Sequence, residues 1–200
     1  MRQFAIWTVL LAILLAPVPG YTADRVPLRV ARLPLMLLGE QTPSPETLDE
    51  LETRLDRALH IPLNGVLHAV EYLPEKECEA ALGDILAGME GGRRKTRLKN
   101  AMQPLAERLQ ADIVICPVLA RYGQHITFSG SWARGTILYS TASIELYGYE
   151  KKTGAFLKTA GRNYYDSYTP WGLASALALE CLDRTIEESG IHSMVSNWNR

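Results

Sequence analysis

The sequence predicts an α+β domain, a mixed sheet of about five strands with helices packed on it, in the order β-α-β-α-α-β-β-β-α. Three observations carry this reading. Leucine-rich segments repeat apolar residues at spacings of three and four, one run from Ala111 to Tyr122 is almost uniformly apolar, and the segments after it alternate apolar and polar residues. No sequence repeat and no low-complexity stretch competes with it.

The chain opens with Arg2, an apolar run from Phe4 to Ala16, then Pro17, Pro19, Gly20 and the small Ala23. This pattern predicts a secretory signal at residues 1–23, leaving a single domain at residues 24–200. The run is shorter than the roughly 20 residues of a bilayer span. A membrane role is therefore expected only if the segment is retained. No cysteine follows it before Cys78, so the lipid-acceptor cysteine of a bacterial lipoprotein is missing.

Val26 to Leu38 reads as a strand that Pro27 and Pro34 shorten or interrupt, because proline lacks the ladder donor. A well-marked helix follows: Ser44 as N-cap, Pro45 in the first helical position, Glu46 toward the positive helix end, and Leu48, Leu51, Leu55 and Leu59 along one stripe. Val66 to Leu73 is expected as a second strand with Val66, His68, Val70 and Tyr72 on one face. Pro74 starts a second helix with Cys78, Leu82, Ile85, Leu86 and Met89 apolar, and Gly91 and Gly92 stop it. A third helix carries Leu98, Met102, Leu105 and Leu109. Pro104 either kinks it or marks a later start near Gln103, and the shorter version is favoured.

Ala111 to Tyr122 fits a central strand buried on both faces. Gly123 to Gly135 reads as a long hairpin connection, extended at its stem in one version. Thr136 to Tyr149 alternates, with Leu138, Ala142, Ile144 and Leu146 on one side and Tyr139, Thr141, Glu145 and Tyr147 on the other, where Glu145 marks the wetter face. Glu150 to Gly154 is a turn, Ala155 to Tyr168 a returning strand, and Trp171 to Ser189 a last helix begun at Thr169-Pro170 and stopped by Gly190. Met194, Val195 and Trp198 in the tail suggest that it docks.

The chain carries 21 Lys and Arg against 22 Asp and Glu, a net charge of −1, which argues against a dedicated nucleic-acid binder. Cys78, Cys116 and Cys181 sit among apolar neighbours and read as buried small hydrophobes, with one disulfide among them as the alternative. His60, His68, His125 and His192 show no paired helical spacing of the kind that presents two imidazoles to zinc, so no metal is expected. No cofactor motif stands either: Gly91 to Thr96 resembles a phosphate loop, but Arg94 occupies the place of the glycine that must precede the lysine. Arg93, Arg94, Lys95, Arg97 and Lys99 form a basic patch that suits acidic headgroups or an acidic partner, and equally a solvated loop.

One cluster points to contact with a partner. Tyr122, His125, Phe128, Trp132 and Arg134 lie in the long connection, and Tyr164, Tyr165, Tyr168 and Trp171 near the last strand-to-helix junction. Aromatic residues with a polar handle bury much area while losing little rotamer entropy, which interfaces exploit. The competing reading is that these rings cover the sheet or pack beneath the last helix.

Leu105-Ala106-Glu107-Arg108-Leu109 running into Ala111-Asp112-Ile113-Val114-Ile115, within this element order and behind an export signal, resembles a bacterial envelope module. The module occurs as the amino-terminal domain of TolB, in penicillin-binding-protein activator lipoproteins and in the curli-secretion lipoprotein. The resemblance implies a periplasmic or secreted, non-enzymatic domain that grips another envelope protein or assembles with copies of itself. The alternative is an exported glycan-binding domain or hydrolase using His125 and Arg134.

Overall fold

The computed structural model describes residues 26–89, 94–128, 136–165 and 172–196. The expected signal segment lies outside them. The strands are β1 (Leu28–Arg32), β2 (Met36–Leu37), β3 (Val70–Tyr72), β4 (Ile113–Phe128), β5 (Thr136–Glu150) and β6 (Ala155–Tyr165). The helices are α1 (Pro45–Leu59), α2 (Asn64–Leu67), α3 (Glu75–Gly88), α4 (Arg94–Leu109), α5 (Ala174–Ser189) and α6 (Ile191–Ser196). The class is α+β, as the sequence predicts.

The sheet runs β3-β1-β4-β5-β6, with β1 parallel to both β3 and β4, and β4, β5 and β6 antiparallel. Strand β2 continues β1 along the same edge of β4, pairing Met36 with Val118. The interruption is at Pro34: the Leu33 amide still reaches the Ile115 carbonyl at 2.9 Å, whereas the Leu35 amide turns to Glu52 Oε1 at 2.6 Å. Glu52 also binds the Arg32 guanidinium, whose other partners are Asp56 at 3.2 Å and Glu75 at 3.4 Å. The broken strand is thus fastened to α1 and α3.

The central position of β4 follows from its composition. Ile113, Ile115 and Leu119 face α1, α5 and α6, while Val114, Cys116 and Val118 face α3 and α4, all almost wholly buried. Each such side chain contributes roughly 1.5–3 kcal/mol on leaving water. In α1, the Ser44 hydroxyl caps the Thr47 amide, and Leu51, Leu55 and Leu59 are the buried stripe.

Four expectations are corrected. The segment at Val66 is not strand: Asn64–Leu67 is a helical turn bounded by left-handed Leu63 (φ 60°) and His68 (φ 46°), and only Val70–Tyr72 pairs. Helix α4 runs through Pro104, because Leu98, Ala101 and Met102 before it and Leu105, Ala106 and Leu109 after it all bury on one face. That burial outweighs the ~3 kcal/mol an internal proline costs. Strand β4 continues to Phe128, so the connection to β5 is shorter than expected. Helix α5 starts at Ala174 rather than Trp171, its first amide held by Gln124 Oε1 at 3.0 Å.

Candidate functional site

The register of β4 against β5 shifts between Leu119 and Arg121. A bulge of this kind inverts the alternation beyond it. Val118 points toward α3 and α4, but past the bulge it is the odd residues, Arg121, Gly123 and His125, that share that face with Tyr139, Thr141 and Ser143 of β5 and with Arg162 and Tyr164 of β6.

This places three rings in a row across three strands. The His125 and Tyr139 rings stack at 5.2 Å between centroids with an interplanar angle of 17°, and Tyr139 meets Tyr164 at 6.2 Å and 37°. All three lie outside the hydrophobic clusters of the core. His125 is exposed, and Tyr164 is 59% exposed. An open cleft of about 490 Å³ borders the row, lined by Arg121, His125 and Thr141 on the sheet and by Gly39, Glu40 and Gln41 above it. Gly39 lets the chain pass close to β4, since a Cβ there would lie 3.0 Å from the Tyr122 amide nitrogen. Gln41 Oε1 accepts the Gln124 amide at 2.8 Å and so fixes the lip of the cleft to β4.

The sequence-predicted residues divide. His125 and Tyr164 come together through Tyr139, which the aromatic count overlooked; its signal was the alternation that put Tyr139 and Thr141 on one face of β5. Tyr122 and Tyr165 project to the opposite side, packed on the cluster formed with α1 and α5. Burial raises the Tyr122 hydroxyl above the usual tyrosine range. Phe128 is the last residue of β4. Trp132, Arg134, Tyr168 and Trp171 lie outside the described residues.

Of the basic run, Arg93 lies outside the described residues, and Arg94 and Lys95 open α4 rather than a loop. Arg97 donates to the Leu86 carbonyl of α3, and the Lys99 ammonium stands 5.2 Å from the Phe156 ring centre. These two cations serve internal packing.

Glu145, expected on a wet face, is buried. Its carboxylate accepts the Tyr147 hydroxyl at 2.6 Å and lies 3.5 Å from Lys158 Nζ. Near this end of β5 the face is closed by α4 and Phe156, so the open half of the sheet begins only beyond Ser143. The thiols of Cys78 and Cys116 lie on one side of the sheet and that of Cys181 on the other, all three free and buried. Among the described residues no three His, Cys, Asp or Glu side chains are gathered to hold a metal.

Fold and face together define an α+β module that displays an aromatic surface on a projecting antiparallel ribbon. No family model and no curated protein matches the chain. Among solved structures, it is similar to lipoprotein GNA1162 of Neisseria meningitidis, with 13% identity over 86% of this chain and 99% of that one and a TM-score of 0.40. The hypothetical protein CT253 of Chlamydia trachomatis gives 12%, 87%, 99% and 0.39, and a PelC dodecamer from Paraburkholderia phytofirmans gives 13%, 80%, 86% and 0.35. Bacterial lipoproteins recur among such structures. Among the described residues no helix is long and apolar enough to cross a membrane.

Proposed function

We propose that the chain is an exported cell-envelope protein that acts by gripping another protein through the open face of β4, β5 and β6. The observation that carries this is the His125-Tyr139-Tyr164 row, three amphipathic rings aligned outside the core on one sheet face with Arg121 and Arg162 beside them. Rings held by backbone pairing lose little entropy on binding, and flanking arginines add directional hydrogen bonds. The export signal of residues 1–23 and the likeness to TolB-type envelope modules belong to the same reading.

The test is a photo-crosslinking amino acid placed at Tyr164 in the native host. A discrete protein adduct is expected, weakened at least about tenfold by Tyr139→Ala. Equal adducts from a crosslinker at Glu188, on the exposed side of α5, would count against the proposal.

The cleft favours a second reading, a glycan bound against His125 with Arg121 and Glu40 as polar contacts. Titration with oligosaccharides separates the two. Saturable glycan binding lost in His125→Ala would replace the protein partner.

A further inference from the structure

Between β2 and the α3-α4 pair lies a second cavity, of about 280 Å³, lined by Met36, Leu37, Leu38, Leu86, Leu98 and Arg97. Its walls are apolar apart from the one guanidinium, and none of the lining residues is acidic. Leu38 also borders the cleft beside His125, so the two spaces adjoin there but differ in character.

Arg97 stands apart from the other partly buried arginines whose side chains are described. Arg29 faces Glu71, Arg32 faces Glu52, Asp56 and Glu75, and Arg54 faces Glu50 and Asp183. Arg97 meets no carboxylate among the described residues. Its Nη2 donates to the Leu86 carbonyl, its Nε is sealed from water without a partner, and its Nη1 is unbonded yet open to approach. A charge drawn partly out of water with no counter-ion is unfavourable, and an anion seated beside it relieves that cost. The setting adds to the pull: Arg97 lies in the opening turn of α4, at the positive helix end, with Arg94 and Lys95 before it and no acid in that turn.

The strand edge decides what accompanies the anion. Leu38 donates its amide inward to the Leu119 carbonyl at 3.0 Å, so the Leu37 amide and carbonyl point to the outer edge of β2. The Leu35 amide is already held by Glu52 Oε1. One residue is too short an edge to seat an added peptide strand, whose affinity comes from main-chain hydrogen bonds, whereas a hydrocarbon tail needs only apolar walls. The volume, about 280 Å³, lies at the foot of the range for small-molecule pockets, roughly 300–1,000 Å³, and so suits a single tail.

We propose that this cavity binds a single-tailed anionic amphiphile, its tail against Met36, Leu38, Leu86 and Leu98 and its carboxylate or phosphate head on the Arg97 guanidinium. The site is separate from the aromatic face and stands or falls without it.

Titration calorimetry of the full-length protein with decanoate, below its micelle concentration, should show one saturable site. Octanoate and hexanoate should bind more weakly, by about fourfold for each methylene removed. Decanol, with the tail and no charge, should bind at least about tenfold more weakly than decanoate. Arg97→Gln should bring decanoate down to the level of decanol, while Arg108→Gln, which removes the same charge from the far end of α4, should leave it within about twofold. Lysophosphatidylglycerol with the same tail separates the sources: tighter binding than decanoate assigns a single-tailed phospholipid, weaker binding a free fatty acid, and either supports the site. Equal affinities for decanol and decanoate on the unsubstituted protein would overturn the proposal, whether or not Arg97→Gln folds. Unchanged decanoate binding by a folded Arg97→Gln protein, or no saturable binding across the series, would overturn it as well.

Discussion

Asn64 spends both ends of its carboxamide on a single residue, donating to the carbonyl and accepting from the amide of Val70 at 2.8 Å each. The pair imitates one step of strand pairing and fixes where β3 begins. Replacing Asn64 with Ala removes both bonds and should cost about 1–3 kcal/mol. Asn64→Asp keeps the acceptor but sets a carboxylate oxygen against the Val70 carbonyl, so it should cost at least as much as Ala. Chemical denaturation measures the loss, and amide exchange at Val70 should quicken first.

Gly161 of β6 lies under α5 with no room for a side chain. A Cβ there would stand 2.5 Å from Thr185 Oγ1, 2.9 Å from Cys181 Sγ and 3.1 Å from the Cys181 carbonyl. Gly161→Ala should therefore destabilise by more than about 2 kcal/mol, seen as a clear drop in Tm. Adding Thr185→Ala should restore only part, since Cys181 remains in the way.

Burial keeps the thiols protonated. It pushes Cys116 up to about 12, and burial followed by Glu77 and Glu75 pushes Cys78 up to about 11. A thiol reagent at about pH 8 should label the folded protein slowly and all three cysteines promptly once it is unfolded. Rapid labelling of the native chain would contradict the packing.

The same groups fix the sign of the alkaline response. Tyr147 is also raised above the tyrosine range, first by burial and then by the Glu145 carboxylate that accepts its hydroxyl. For these acids the folded state holds protons that the unfolded chain releases from about pH 9–10 upward. Their contribution is fully present below that range and is lost as pH climbs through 11 and 12. Urea midpoints measured against pH should decline there, and Tyr147→Phe should flatten part of the decline while lowering the neutral-pH value by about 1–2 kcal/mol.

Strand β6 forms one edge of the sheet, and Arg184 Nη2 occupies its Arg162 carbonyl at 3.1 Å. Guarded edges resist pairing with another chain. Arg184→Ala should shift size-exclusion elution toward a dimer at micromolar concentration more than Arg54→Ala, which loses only partners at Glu50 and Asp183.

What the sequence determined by itself is local. The Ser44-Pro45 start of α1, the left-handed Gly190 that ends α5, the Gly154 turn and the doubly apolar β4 each depend on a few adjacent residues, whose backbone preferences hold whatever surrounds them. Alternation along β5 likewise separated Tyr139 and Thr141 from Leu138 and Ala142. Only the tertiary structure decided which side of the sheet faced water, and where. Burial of six residues carried α4 through Pro104, Tyr147 and Lys158 engaged a buried Glu145, and the one-residue bulge after Leu119 turned His125 outward and Tyr122 inward. A side chain's exposure belongs to its neighbours across the fold, and a single inserted residue reverses every assignment that a period of two would make.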